Sequence, residues 1–164
     1  MQFYKYIISV LAITWVSVSS LAQSTFYING NVSVMPGAIV QVNGNVELNG
    51  GNAGSFFDNN GDVTVSNSIN NGDLLIDDAG NSAVYIGSGT THLEGDWINK
   101  GAFIAQASTI ELNGSNQLIT GDQLTIFNNL TLLGTGVKTQ TIDVFINSNL
   151  SLNDRELATD SFTM

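Results

Sequence analysis

The sequence of 164 residues contains no cysteine, one proline and one histidine. A disulfide framework is therefore excluded, and burial together with backbone hydrogen bonding must hold the fold. Basic residues are also scarce, with four lysines and arginines against 14 acidic residues and a net charge of −10. A chain this acidic repels phosphate backbones and anionic headgroups, so nucleic acid is not among its expected partners.

Long hydrophobic runs are missing except near the first residue. Ile7–Val18 is mostly apolar and follows a short positively charged stretch. Ser20 and Ala22 then place small residues at the two key positions of a signal-peptidase site. The apolar run is too short and too interrupted by serine and threonine for a membrane span. We therefore predict that residues 1–22 are a secretory signal peptide. The mature chain, 23–164, is then one secreted or outer-surface domain without a transmembrane segment.

A helical apolar period longer than about two turns is also missing from the mature chain. Short segments instead alternate apolar and polar residues, and they are rich in β-branched side chains, which is the signal of β-strands. Pairs of apolar residues predicted to share one strand face are Val32/Val34, Val46/Leu48, Val63/Val65, Val84/Ile86, Ile110/Leu112 and Leu124/Ile126. The sequence therefore predicts an all-β chain.

Asn-Gly dipeptides separate many of these segments, beginning at Asn29, Asn43, Asn49, Asn60, Asn71 and Asn113. Both residues tolerate a positive φ, so each pair allows a sharp change of direction. Between antiparallel strands such a pair makes a hairpin, which favours an antiparallel β-sandwich. The same pair also serves at the corners of a parallel β-solenoid, where each strand lies on the previous turn.

A repeated phrase, Asn-Gly-Asn-Val with its variants, favours the solenoid. Its glycines are Gly30, Gly44, Gly61, Gly72 and Gly95, so the spacings are 14, 17, 11 and 23 residues. These unequal spacings exclude a strict hexapeptide or nonapeptide coil. They fit an irregular right-handed parallel β-helix with turns of about 20–25 residues. This irregular β-solenoid is the predicted fold, and the antiparallel sandwich is the alternative.

The segment 92–136 resembles the repeats of large cell-surface and secreted proteins that gliding bacteria export by the type IX route. The matching residues are Gly95-Asp96-Trp97, Asn99, Gly101, Phe103, Ile110–Gly114, Gln117, Ile119, Gly121, Phe127 and Asn129–Leu132. The resemblance covers about a third of the mature chain and carries no catalytic motif. It implies an adhesin-like or structural role at the cell surface, with extracellular glycans or other surface proteins as partners.

Proteins of that group typically end in a C-terminal sorting domain, and this sequence has none. Two interpretations follow from the resemblance. Either the chain is the N-terminal fragment of a longer protein, or its export uses another route. We favour the fragment, because a solenoid that ends on an uncapped strand exposes pairing edges.

Candidate ligand-binding residues cluster at His92, Glu94, Asp96 and Trp97. The first three alternate along the sequence, so an extended strand would place them on one face as a metal or acid/base cluster. A solvent-facing polar stripe explains the same pattern without a ligand. Trp97 is a sugar platform if it is exposed and a core residue if it is buried, and the core interpretation is favoured because one aromatic seldom defines a site.

Calcium is the only cofactor for which the sequence holds a pattern. Asp58, Asn60 and Asp62 alternate as they do at the start of a calcium loop. An EF-hand then requires glycine at the sixth position and glutamate at the twelfth, and this chain has Val63 and Ile69 there. A looser calcium loop and an ordinary solvated turn both remain as interpretations.

Catalytic motifs are missing from the sequence. No spacing among the acidic residues selects a glycosidase pair, and no Gly-x-Ser-x-Gly element accompanies His92. The sequence therefore predicts a non-catalytic structural or adhesion module that extends or presents other domains. The alternatives are a carbohydrate-binding module, with Trp97, Tyr85 and Asn and Asp side chains as its platform, and, third, a fragment of a polysaccharide-degrading β-helix enzyme.

Overall fold

The structure is a computed structural model that describes residues 24–50, 54–67, 72–77 and 83–159. These residues form 17 β-strands and no helix. The first nine strands are β1 (Thr25–Ile28), β2 (Asn31–Val34), β3 (Ile39–Asn43), β4 (Asn45–Asn49), β5 (Ser55–Asn59), β6 (Asp62–Ser66), β7 (Leu74–Asp77), β8 (Ala83–Gly87) and β9 (Thr90–Leu93). The other eight are β10 (Trp97–Asn99), β11 (Ala102–Ile104), β12 (Thr109–Leu112), β13 (Gln117–Gly121), β14 (Thr125–Leu132), β15 (Lys138–Gln140), β16 (Val144–Ser151) and β17 (Leu157–Thr159).

The strands belong to three sheets that run along one axis. Sheet A has the order β1-β4-β7-β10-β13-β15-β17, sheet B the order β11-β8-β5-β2, and sheet C the order β16-β14-β12-β9-β6-β3. Every strand pair among the described residues is parallel. The chain visits the sheets in turn, so each turn, which we call a rung, lies on the one before it. This arrangement confirms a parallel β-solenoid, of about six turns, and excludes the antiparallel sandwich.

The rungs differ in length, as the unequal repeat spacings predict. Equivalent positions of sheet A are Val46, Leu74, Trp97, Ile119 and Gln140. Successive rungs therefore take 28, 23, 22 and 21 residues. The extra residues of the long rung lie in connections between strands, so the strands themselves keep their register.

The solenoid interior is filled by every second side chain of each strand. Four aromatic residues, Phe57, Tyr85, Phe103 and Phe127, stack along the axis with ring centroids 5.1, 5.4 and 5.7 Å apart. Trp97 of sheet A packs across the interior against the last three of these rings. Aromatic residues bury more apolar area than other side chains, so this column is the centre of the core.

Sheet B is shorter than the other two sheets. It ends at β11, and the next rung passes from β13 to β14 through Asp122–Leu124, which form no strand. Phe127 of β14 nevertheless continues the aromatic column below Phe103. The first four rungs are therefore three-sided, and the later rungs close with a shortened third side.

Two of the predicted apolar pairs, Val84/Ile86 and Leu124/Ile126, lie on the outside of the solenoid. In β8 the side chains of Ala83 and Tyr85 are fully buried, whereas Val84 and Ile86 lie on the outer face. In β14 Phe127 is fully buried, whereas Ile126 is 37% exposed. Leu124, just before β14, is also exposed. Both faces of these two segments carry apolar residues. Alternation alone therefore does not say which face lies inside the solenoid.

Candidate functional site

The predicted cluster of His92, Glu94 and Asp96 is divided by a corner of the solenoid. His92 lies in β9 on the outer face of sheet C, and the chain then bends at Glu94–Gly95. Asp96 follows the bend and precedes Trp97, the first residue of β10 in sheet A. The three side chains therefore do not share one strand face, because the extended strand assumed from the sequence ends at Leu93.

His92 instead contacts carboxylates on the two neighbouring rungs. Its Nε2 lies 3.0 Å from Asp62 Oδ1, and its Nδ1 lies 2.7 Å from Glu111 Oε2. The His92 side chain is 26% exposed, so this row is open to solvent on one side. Ion pairs this exposed stabilise a protein by about 0–1 kcal/mol. Among the described residues, no three His, Asp or Glu side chains converge on one point as metal ligands do.

No sequence pattern connects Glu111 with His92. The two residues are paired in register between β9 and β12, although they are 19 residues apart. Their pairing depends on the length of the rung that joins them. Because rungs differ in length, the sequence does not indicate which residue lies beside His92. The register places a polar row along the outer face of sheet C, formed by Gln41, Thr64, His92, Glu111, Thr131 and Ser151.

The calcium candidates lie on two different sheets. Asp58 belongs to β5 of sheet B and Asp62 to β6 of sheet C, with Asn60 at the corner between them. The Asn60 amide Nδ2 donates a hydrogen bond of 2.7 Å to Asp58 Oδ1, and Asp62 Oδ1 contacts His92. Calcium binding by these residues stays a prediction, and it requires both contacts to be exchanged for the ion.

Trp97 and Tyr85 are both fully buried. The Tyr85 hydroxyl lies 2.5 Å from Thr91 Oγ1 and accepts a hydrogen bond from Asn59 Nδ2, while burial raises the pKa of Tyr85 above its ordinary value. A buried ring does not stack on a sugar at the surface. The carbohydrate hypothesis therefore loses the two aromatic residues on which it depended.

Three of the repeated Gly-Asx pairs, those of Asn45, Asp73 and Asp96, form with Asn116 a ladder of side-chain hydrogen bonds at one corner. In each rung a side-chain oxygen of Asn or Asp accepts a hydrogen bond from a backbone N–H of the next rung. The pairs are Asn45 with Asp73 N, Asp73 with Asp96 N, Asp96 with Leu118 N and Asn116 with Val137 N, at 2.8–3.0 Å. We call this set the Asx ladder. It explains the three copies of the phrase at this corner, since each of them binds a backbone N–H beside the sheet A strand of the following rung.

A cavity of about 580 Å³ lies beside the Asx ladder, with Asp73, Asp96, Asn116, Leu118 and Thr139 among its lining residues. Burial raises the pKa of Asp96, and the nearby Asp73 carboxylate raises it further, against the opposing effect of the hydrogen bond from Leu118 N. Asp73 and Asp96 thus contribute hydrogen bonds that join rungs.

Lys138 is the one charged residue of the described chain that is fully buried. Its Nζ donates hydrogen bonds to three backbone carbonyls, those of Gly114 at 2.9 Å, Ser115 at 2.5 Å and Thr135 at 3.1 Å. In the rung before, Gln117 holds the same register position and donates to Leu93 O and Gly95 O. Lys138 therefore closes a corner by binding carbonyl oxygens, a role that no sequence pattern indicates.

Replacing Lys138 with methionine is expected to remove part of the pH dependence of stability between about pH 8 and pH 10.5. Burial, with a smaller contribution from Arg155, lowers the pKa of Lys138 from 10.5 to about 8. Between these values the unfolded lysine keeps its proton while the folded one has released it, so the free energy of unfolding rises with pH. Urea unfolding of both proteins at several pH values between 8 and 10 measures the difference in slope.

The matched control is Lys100→Met, because Lys100 is exposed. In this variant the free energy of unfolding should rise with pH as steeply as it does in the original protein. The titration of Tyr85 is common to all three proteins and cancels in the comparison. If the free energy of unfolding depends on pH in the same way in the original protein and in Lys138→Met, the lowered pKa of Lys138 is contradicted.

Comparison of the chain with known family models, curated proteins and solved structures found no match. Within the described residues, no helix has the length and apolar character needed to cross a membrane. The solenoid fold by itself hosts proteins of several functional classes, so function has to be argued from the surface and the packing.

Proposed function

We propose that this chain is a non-catalytic structural module of a secreted or cell-surface protein, in which the solenoid extends or presents other domains. One observation carries the proposal. The parallel ladders of sheets A and C join rung to rung from β1 to β17 and from β3 to β16. Each inner rung is thus hydrogen-bonded on both sides, and strands stacked about 4.8 Å apart form a stiff body whose length grows with the rung number.

The polar contacts support this proposal more than they support catalysis. The side chains with the most specific geometry bind backbone groups: the Asx ladder accepts from backbone N–H groups, and Lys138 donates to backbone carbonyls. These contacts join neighbouring rungs and are satisfied by the chain itself. A module built for stiffness needs such contacts, whereas an active site needs polar groups directed at a substrate.

The signal peptide and export by the type IX route belong to the same proposal. Residues 1–22 lie outside the described residues, so this part of the proposal depends on the sequence pattern and the resemblance. Amino-terminal sequencing of the exported protein tests it. The expected first residue is Gln23, and retention of residues 1–22 would contradict the signal peptide.

Adhesion to an extracellular glycan is the second candidate function. The observation that favours it is the polar row along the outer face of sheet C, where amide, hydroxyl, imidazole and carboxylate groups recur at the spacing of the rungs. Such a row can hydrogen-bond to a ligand with many hydroxyls. It offers no exposed aromatic ring for stacking on a sugar.

Exchange of the solenoid distinguishes the two functions. In cells that display the protein, residues 24–159 are replaced either by an unrelated β-solenoid of equal rung number or by a flexible Gly/Ser linker of similar length. If the solenoid is a spacer, presentation of the attached domains is kept with the unrelated solenoid and lost with the linker. Suppose instead that function is lost with both replacements, and also in a variant that changes only Thr64 and Thr131 to alanine. That result would contradict the spacer hypothesis and support adhesion through sheet C.

A further inference from the structure

Asn-Gly dipeptides favour a chemical reaction of the asparagine side chain as well as a turn. The backbone nitrogen of the glycine can attack the side-chain amide carbon of the preceding asparagine. A new C–N bond then forms a five-membered succinimide, and the amide nitrogen leaves as ammonia. Water opens the ring at either carbonyl and gives aspartate or isoaspartate. The reaction requires only water, and glycine favours it because no Cβ obstructs the attack.

The fold protects most of these sites by using the attacking nitrogen as a hydrogen-bond donor. A nitrogen held in this way must first break its bond and rotate, so the reaction proceeds from a locally opened state. The strongest protection is in three pairs: Gly44 N donates to Ser66 O at 2.8 Å, Gly50 N to Asp77 O at 2.9 Å and Gly114 N to Gln117 Oε1 at 2.8 Å. Gly61 N donates to Asn59 Oδ1 at 3.1 Å. Asn71 lies outside the described residues.

The Asn29-Gly30 pair has the weakest protection of these five. Gly30 N donates to the hydroxyl of Ser55 at 3.2 Å, which is the longest of the five contacts. Asn29 itself is exposed, and it lies between β1 and β2 in the first described rung. Opening at this corner therefore disturbs fewer contacts than opening at the inner corners.

Space for ring closure also differs between the pairs. A Cβ placed on Gly44, Gly61 or Gly114 would lie less than 3.0 Å from backbone atoms of a neighbouring rung. A Cβ placed on Gly30 would have no atom within 4 Å. The backbone at Gly30 can therefore move toward the asparagine side chain without meeting the next rung.

We propose that, among the five Asn-Gly pairs that the structure describes, Asn29 is the site at which the folded protein deamidates, and that stacking of the rungs protects Asn43, Asn49, Asn60 and Asn113. The isoaspartate product adds a methylene group to the main chain between β1 and β2. This insertion changes the path of the chain at the corner where β1, paired with β4, continues into β2, paired with β5. Deamidation at Asn29 thus loosens the first rung and leaves the inner rungs unchanged.

Peptide mapping of the purified protein tests the proposal. The protein is incubated at mildly alkaline pH, either folded or in concentrated urea, and asparagine, aspartate and isoaspartate are quantified at each site. In the folded protein Asn29 should react about tenfold or more faster than each of the four protected asparagines, since each 1.4 kcal/mol of opening free energy is a factor of ten. In urea all five sites should react at similar rates.

Two variants make the result specific. Asn29→Gln should abolish most of the deamidation of the folded protein, because glutamine would have to close a larger ring. Ser55→Ala removes the acceptor of Gly30 N and should accelerate the reaction at Asn29 about fivefold, without changing Asn43 or Asn113. Circular dichroism first verifies that the variants are folded. Equal rates at Asn29 and the other sites in the folded protein, or faster reaction at Asn43 or Asn113, would overturn the proposal.

Discussion

Replacing Trp97 with alanine is expected to lower the free energy of unfolding by about 3–5 kcal/mol. Its indole is fully buried and its ring centroid lies 4.7 Å from that of Phe103 and 5.3 Å from that of Phe127. Phe103 belongs to the same rung as Trp97 and Phe127 to the next, and the ladders of sheets A and C join these two rungs, so the cavity left by the indole cannot collapse easily. Urea unfolding followed by circular dichroism measures the change.

Two further variants separate the cavity from other effects. Phe145→Ala removes an aromatic ring that is 47% exposed, and it should cost about 1 kcal/mol or less. Trp97→Phe should cost less than Trp97→Ala, because it keeps a ring in the cavity and deletes an indole N–H that has no hydrogen-bond partner among the described residues. A Trp97→Ala variant as stable as Phe145→Ala would contradict the central place of the aromatic column.

Replacing Gly95 with alanine is expected to destabilise the protein by about 3 kcal/mol. A Cβ at this position would lie less than 3.0 Å from the backbone of Gly72 and from the side chain of Asp73 in the rung before. Gly95 N donates to Gly72 O at 3.0 Å, so the two rungs meet at this point. Relief of the clash separates the rungs and weakens the hydrogen bond from Asp96 N to Asp73 Oδ1 as well. Differential scanning calorimetry measures the loss as a lower melting temperature.

Gly30→Ala is the matched control for Gly95→Ala. Gly30 has a φ of 142°, which disfavours alanine, but its added Cβ meets open space. The control therefore measures the conformational cost of a positive φ, about 1–3 kcal/mol, without a clash between rungs. Gly95 is not among the glycines with a positive φ, so a Gly95→Ala variant that loses less than about 1 kcal/mol would show that close approach of the rungs is not the reason for glycine at position 95.

The class of fold could be predicted from the sequence because it depends on local patterns. Alternating segments such as Val63/Val65 and Ile110/Leu112 do place both side chains of each pair inside the solenoid. The described Asn-Gly pairs do lie at corners. The repeated glycines occupy different corners, however, and only Gly44, Gly72 and Gly95, which all precede sheet A strands, are spaced by whole rungs, of 28 and 23 residues. Strand period and turn preference are properties of a few consecutive residues, so a single sequence contains them.

The candidate site could not be predicted in the same way. The proposed strand through His92, Glu94 and Asp96 has a corner at Glu94–Gly95, because a glycine next to an acidic residue permits either an extended or a bent path. The actual neighbour of His92 is Glu111, one rung away. Such pairs join residues about 20 positions apart, and their distance along the chain varies with each connecting loop.

By itself, the sequence determined that the chain is all-β, built from short strands with Asn-Gly corners, and strongly acidic. Only the tertiary structure decided which face of β8 is inside, that Trp97 is buried, that Lys138 binds three carbonyls and that the repeated Gly-Asx phrase is a ladder between rungs. The physical reason is that these features depend on register between rungs. Register is set by the packing of the whole stack, where the Phe57, Tyr85 and Phe103 rings must lie over one another, and no single segment specifies it.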